Sequence, residues 1–194
     1  MCTPTATPKN IPESHHQRRV IIHGFDSFRG LPENWNNGQQ GMYDQGKFDL
    51  GGMPPDLKGV REYLGFPDKD IEENVVLHIG WFEDTLQEFF DQHPYPVAYC
   101  HADADLYSST ITFLEEMCRC QLLIKGSVIT FDEYANYPGW QHGEYLAWME
   151  MVEKYKIHFR YICYHAPSAT DSHSKNYNPH GYQSVSVAVT EVPW

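Results

Sequence analysis

The sequence is poor in positive charge and has no long hydrophobic run. It contains 14 lysines and arginines against 26 aspartates and glutamates, and its formal net charge at pH 7 is −12. Proteins that bind nucleic acid or an anionic membrane surface need a basic face, so this composition argues against both partners. No stretch approaches the roughly 18 apolar residues that would span a bilayer.

Cysteine is also scarce, and its spacing is irregular. The five cysteines are Cys2, Cys100, Cys118, Cys120 and Cys163. An odd number without a Cys-x-x-Cys pair indicates neither a disulfide framework nor a structural zinc site, so we interpret them as thiols in a reducing compartment. Residues 1–19 contain no apolar signal segment, and we expect a disordered leader there, followed by one domain over residues 20–194. The expected location is the cytoplasm.

Short apolar runs alternate with segments of helical period along the chain. The predicted strands are Val20–His23, Asn74–Ile79, Pro96–His101, Ser127–Phe131, Phe159–Tyr164 and Val185–Thr190. The predicted helices are 55–64, 84–92, 109–124 and 142–155, with Ser108 or Ser109 capping the third. This alternation predicts an α/β fold with a mostly parallel sheet and helices on both faces. In such sheets, ligands bind beyond the carboxyl ends of the strands.

Acidic side chains follow the predicted strands at this edge. Asp26 follows the first strand, Asp103 and Asp105 follow the third, and Asp132 and Glu133 follow the fourth. We interpret Asp103, Asp132 and Glu133 as oxygen ligands of one hard cation, Mg²⁺, Ca²⁺ or Mn²⁺. Asp105 points to the same side as Asp103, one step further out, where it can accept a proton from a metal-bound hydroxyl. The alternative for Asp105 alone is that it caps the following helix.

Asp26 and two aromatic residues indicate a nucleotide site. An acid directly after an apolar strand is typical of sheets that hold a ribose through its two hydroxyls. Trp81 and Phe82 follow the second strand, where two rings can flank a purine. Core packing is the alternative for both rings, and it suits Phe82 better.

The chain resembles the macrocin O-methyltransferase family in four segments, which occur in the family's order: IHGFDSFRGLPENW, HIGWFEDTL, HADADLYSST and GSVITFDEYANYPGWQHGEYLAW. The likeness runs with gaps from about Val20 to Trp148. Members of that family methylate sugar hydroxyls of natural-product glycosides and depend on S-adenosylmethionine and Mg²⁺. The resemblance implies a class I methyltransferase fold, which is Rossmann-like and mostly parallel with an antiparallel pair of strands at the C-terminus.

The resemblance also implies a role for each matching residue. The metal-ligand positions are Asp103, Asp132 and Glu133, although the family often has aspartate at the third. Asp105 matches the proposed general base. The cofactor positions are Asp26 and Ser27 at the ribose and Gly80, Trp81 and Phe82 at the adenine. In the implied reaction Mg²⁺ holds two neighbouring hydroxyls, Asp105 takes one proton, and the oxygen attacks the sulfonium methyl in line.

The chain departs from the family in one feature, and two other functions are alternatives to this interpretation. Family members have an earlier strand and a glycine-rich turn that hold the methionine part of the cofactor, and residues 1–19 show neither. We therefore expect a sheet that lacks its first strand, as in a gene fragment, a variant or a half-site completed by a partner. The DxD pattern of Asp103 and Asp105 is also typical of metal-dependent glycosyltransferases. A non-catalytic methyltransferase-like protein is the other alternative, and a homo-oligomer is not excluded.

Overall fold

The computed structural model describes residues 21–35, 43–58, 75–164 and 183–194. Its strands are β1 (Ile22–Asp26), β2 (Val75–Ile79), β3 (Tyr99–Ala102), β4 (Val128–Phe131), β5 (His158–Tyr164) and β6 (Val185–Glu191). Its helices are α1 (Phe82–Gln92), α2 (Tyr107–Arg119) and α3 (Glu144–Tyr155), and a 3₁₀ turn covers Trp140–His142. The predicted leader and most of the predicted helix 55–64 lie outside the described residues. None of the described helices combines the length and apolar character needed to cross a bilayer.

The described strands form two separate sheets. β1 and β2 make one parallel pair, and the other sheet has the order β3-β4-β6-β5. In that sheet β3 and β4 are parallel, while β6 is antiparallel to both β4 and β5. The predicted α/β class and the antiparallel C-terminal pair are observed. The predominance of parallel pairing is not, because two of the four pairings are antiparallel.

β1 lies further along the chain than predicted. The expected strand ended at His23, but the observed strand continues through Gly24 and Phe25 and ends at Asp26. Gly24 faces the β2 side chain of Leu77, and a Cβ at Gly24 would lie 3.0 Å from Leu77 Cδ2. A glycine that suggested a loop therefore permits close packing inside the strand.

The helix after β3 is shorter at its carboxyl end than predicted. α2 begins at Tyr107 after Leu106, without a capping hydrogen bond from a serine side chain, and it ends at Arg119. Gln121 then adopts a left-handed conformation with φ 57°. Leu122 and Leu123, which follow this turn of the chain, are buried. The Leu122 carbonyl accepts the Val97 N–H over 2.9 Å.

A single core joins the four-stranded sheet to the helices. Trp148 of α3 is fully buried and its ring lies 5.8 Å from that of Phe131 in β4. The two-stranded sheet packs on α1 through Phe25 and Phe89, whose ring centroids are 4.9 Å apart. α1 thus contacts both parts, because Phe89 packs on β1 while Leu86 and Phe90 belong to the main core.

We expect Trp148→Ala to lower the free energy of unfolding by about 3 to 5 kcal/mol, because it removes a large buried ring and leaves a cavity. Urea unfolding followed by circular dichroism measures the change. Tyr95→Ala is the control, since Tyr95 is 73% exposed and its loss should shift stability by no more than about 0.5 kcal/mol. Equal losses in the two variants would contradict the core described here.

Candidate functional site

The loops that carry the acids lie side by side because β3 and β4 are parallel neighbours. Their register pairs Ala102 with Phe131, and Asp103 and Asp132 are the next residues on each strand. The Asp132 N–H donates to the Ala102 carbonyl over 2.9 Å, which extends the pairing one step past the strands. The two loops therefore leave the sheet at the same level.

Three carboxylates form a compact group at this edge. One oxygen from each of Asp103, Asp105 and Glu133 lies within 4.8 Å of the others. Oxygens on opposite sides of a cation that binds at 2.0–2.6 Å are about 4 to 5 Å apart. A single hard cation can therefore contact all three side chains. We call Asp103, Asp105 and Glu133 the acidic group.

Asp105 enters the acidic group through an unusual backbone conformation. Its φ is 59°, in the left-handed region, which aspartate tolerates better than most residues. On the extended chain that the sequence suggested, Asp105 would point to the same side as Asp103, one step further out. The left-handed turn instead brings its carboxylate back towards Asp103 and Glu133, just before α2 begins.

Asp132 lies beside the acidic group rather than within it. Its Oδ1 accepts a hydrogen bond from Ser184 Oγ over 2.9 Å. Its negative charge nevertheless adds to the effect of burial in raising the pKa of Asp103. Its assignment as a metal ligand stays a prediction.

Within the described residues, burial and neighbouring carboxylates disfavour the ionised forms of the acidic group. Burial raises the pKa of Asp105 to about 6, and the charges of Asp103 and Asp132 add to this. Burial also raises the pKa of Glu133 to about 9, with Asp105 as the next cause. Crowded carboxylates disfavour one another's ionised form, and a nearby divalent cation has the opposite effect.

An unsatisfied oxygen in this group matches a cation. Glu133 Oε2 is buried and has no hydrogen-bond partner among the described residues. Buried polar atoms nearly always have a partner in folded proteins. A bound cation would supply one here, so the donor set fits Mg²⁺ or Mn²⁺, which both prefer oxygen ligands.

The residues predicted for the ribose lie at the end of β1. Asp26 is exposed, and its Oδ1 accepts the Phe28 N–H over 2.7 Å, which orients the carboxylate. Ser27 is buried, and its Oγ accepts the Arg29 N–H over 3.1 Å. Ser27 therefore shapes the turn, while Asp26 offers a carboxylate to solvent.

The residues predicted for the adenine lie where β2 passes into α1. The Gly80 N–H donates to the Asp26 carbonyl over 3.0 Å, which ties the two strand ends together. Gly80 has a φ of 151°, and a Cβ there would lie 2.8 Å from Thr85 Cγ2. Trp81 is partly buried at the start of α1, whereas the Phe82 ring packs edge-on against Phe113 at 6.0 Å. Phe82 thus packs against the core, and its assignment to the adenine stays a prediction.

One cavity of about 810 Å³ connects the two halves of the site. Asp26, Ser27, Gly80, Trp81 and Phe82 all line it, as do Asp103 and Asp105 of the acidic group. Its volume is in the range of pockets that hold a small ligand or cofactor. Across it, Ser108 Oγ at the start of α2 donates to Glu33 Oε1 over 2.5 Å. The cavity thus joins the end of β1, where an acid follows the strand as in nucleotide-binding sheets, to the acidic group.

Glu144 belongs to this region and was not predicted from the sequence. It is fully buried at the start of α3, and its carboxylate accepts backbone N–H groups from both acid-bearing loops. In the sequence it is one more glutamate in the first turn of a helix, a position that normally faces solvent. Only the apolar residues around it, Tyr145 to Trp148, hint that the helix is largely buried.

Comparison with known proteins identifies related sequences and folds. A family model described as Macrocin-O-methyltransferase (TylF) matches residues 11–157. No curated protein matches the chain. The calicheamicin methyltransferase CalS11 has a similar structure, with a TM-score of 0.57 and 23% identity over 87% of this chain and 60% of that one. The O-methyltransferase NovP gives 0.55 and 23% over 90% and 62%.

These structural matches show the fold of the chain. Both structures are below 25% identical to this chain, so the similarity extends to the fold alone. The chain spans about three fifths of the length of each matched structure.

We expect the metal-free protein to lose stability as the pH rises from about 4 to about 6. Asp105 has a pKa of about 6 in the folded protein against an ordinary 3.8, so the folded state holds its proton more tightly than the unfolded state does. The stabilising contribution is complete below pH 4 and is lost as the pH passes 6. In the Asp105→Asn variant, the fall in the free energy of unfolding between pH 4.5 and 6.5 should be smaller by about 1 to 2 kcal/mol. Urea unfolding at pH 4.5 and 6.5 measures it, and an unchanged slope in the variant would contradict it.

Proposed function

The chain belongs to the macrocin O-methyltransferase family, and on this premise we propose that it transfers a methyl group from S-adenosylmethionine to a sugar hydroxyl, with a divalent cation bound at the substrate. The observation that carries the proposal is the single cavity that joins Asp26 at the end of β1 to Asp103 and Asp105 at the end of β3. A methyl transfer needs the donor and the acidic group within reach of one another, and this cavity supports such an arrangement.

The β1–β2 end of the cavity is assigned to the cofactor. The Asp26 carboxylate is exposed at a strand end, where it can accept hydrogen bonds from both hydroxyls of a ribose. Trp81 offers a partly buried ring beside the turn at Gly80, next to the space for a purine. When bound, S-adenosylmethionine supplies an electrophilic methyl group on a sulfonium.

The β3–β4 end is assigned to the substrate hydroxyl. Asp103 and Glu133 supply carboxylate oxygens for a cation, and Asp132, next to them, is the third proposed ligand. When bound, Mg²⁺ makes a hydroxyl that contacts it more acidic. Asp105, whose carboxylate lies beside those of Asp103 and Glu133, would accept the proton of the substrate hydroxyl. Both CalS11 and NovP are described as methyltransferases, which supports the same chemistry here.

We expect S-adenosylmethionine to bind the full chain in the cavity that Asp26 and Trp81 line. Isothermal titration calorimetry with and without Mg²⁺ measures this, and Asp26→Ala is the variant that should lose binding. Uridine diphosphate sugar is the comparison ligand, since it suits the glycosyltransferase alternative. Binding of that sugar nucleotide in place of S-adenosylmethionine would contradict the proposal, and binding of neither would favour a non-catalytic protein.

We expect Asp105→Asn to lower the rate of methyl transfer by about 100- to 10,000-fold, the usual cost of removing a general base. The same variant should keep most of its Mn²⁺ affinity, whereas Asp132→Asn should weaken Mn²⁺ binding. Methylation assays and Mn²⁺ titration followed by electron paramagnetic resonance provide the two readouts. If Asp105→Asn loses Mn²⁺ and Asp132→Asn retains it, the acidic group itself is the ligand set and Asp105 is not the base.

A further inference from the structure

One buried carboxylate connects the two loops that carry the acids. Glu144 Oε2 accepts the N–H of Glu133 over 3.0 Å, and its Oε1 accepts the N–H of Ala104 over a longer 3.4 Å. Ala104 lies between Asp103 and Asp105, so both hydrogen bonds reach backbone next to, or within, the acidic group. Glu144 therefore spans the ends of β3 and β4 from a third element, α3.

The place of Glu144 is set by the packing at the start of α3. Gly143 precedes it, and any Cβ at Gly143 would collide with the hydroxyl of Tyr137. Tyr137 is itself buried, so the chain can approach it this closely only at a glycine. Glu144 is fully buried behind this contact. Its carboxylate has little freedom to leave the two N–H groups that it accepts.

Burial of a carboxylate here is costly, and the two backbone hydrogen bonds that it accepts offset part of that cost. Glu144 sits close enough to Asp103 and Asp105 for their charges to disfavour its ionised form, beyond the effect of burial. An apolar residue would fill the same space without that cost. What an apolar residue cannot do is accept an N–H from each loop at once.

We propose that Glu144 is a positioning residue, which holds the Asp103–Asp105 loop and the Asp132–Glu133 loop at the separation that lets their carboxylates share one divalent cation. The inference rests on the proposed function, because it assigns Glu144 to the same cation site. Glu144 does not contact the cation. It acts through the backbone of the residues that do, in the way that outer-shell partners orient metal ligands.

The test is Mn²⁺ binding to the full-length chain with Glu144→Gln. Glutamine has the same shape, but its NH₂ group cannot accept an N–H, so one of the two loops loses its anchor. Outer-shell changes of this kind cost about 10- to 100-fold in metal affinity, and we expect a loss in that range. Electron paramagnetic resonance of free Mn²⁺ gives the affinity, and circular dichroism confirms that the variant is folded.

Glu115→Gln is the matched control. Glu115 of α2 also links two elements, since it accepts hydrogen bonds from Lys154 at 2.8 Å and Tyr155 at 2.5 Å, both in α3. Neither bond touches the acid-bearing loops. This variant should lose some stability and keep wild-type Mn²⁺ affinity, which separates positioning from a general loss of structure.

The remaining outcomes each decide the matter. Wild-type affinity in Glu144→Gln, or equal losses in both variants, would overturn the positioning role. A wild-type chain that binds no Mn²⁺ would overturn the proposed function, and Glu144 would then have no cation site to hold. If Glu144→Gln does not fold, hydrogen exchange of the wild-type chain decides: slow exchange at the amides of Ala104 and Glu133 supports the bridge, and fast exchange at both overturns it.

Discussion

The repulsion among carboxylates at the ends of β3 and β4 is the constraint on which the rest of the site depends. Parallel pairing brings the two loops to the same level, and the left-handed turn at Asp105 then adds a third charge to those of Asp103 and Glu133. Burial strengthens the effect, because it removes the water that would otherwise screen these charges. A divalent cation would offset this repulsion, and the oxygens of the acidic group lie close enough together for one cation to contact all three side chains.

The same crowding explains why the neighbouring elements are built as they are. The Asp132 carboxylate, beside the acidic group, accepts a hydrogen bond from Ser184. Glu144 is not a member of the acidic group, yet its carboxylate accepts main-chain N–H groups from the loops on both sides of that group. Within the described residues, hydrogen bonds to Glu144 and to Asp132 thus tie the strand ends to neighbouring elements.

Much of this arrangement could be predicted from the sequence, because acids directly after neighbouring parallel strands lie at the same edge of the sheet. Asp103, Asp132 and Glu133 follow β3 and β4 as expected, and the family resemblance is confirmed. The left-handed turn at Asp105 could not be predicted, since no glycine signals it and tertiary contacts decide it. Glu144 could not be predicted either, because a glutamate in the first turn of a helix is usually exposed. Gly24 misled the prediction of β1, where close packing against Leu77 outweighs the weak strand preference of glycine.

The separation of the two sheets has a consequence for how the domain responds to its ligands. Within the described residues no strand hydrogen-bonds β1 to β3, so the junction depends on ring packing around α1 and on the bond between Ser108 and Glu33. A molecule seated in the cavity touches both sides of that junction. Its binding energy would add to the cohesion of the two parts, so an occupied cavity would stabilise the junction between β1 and β3.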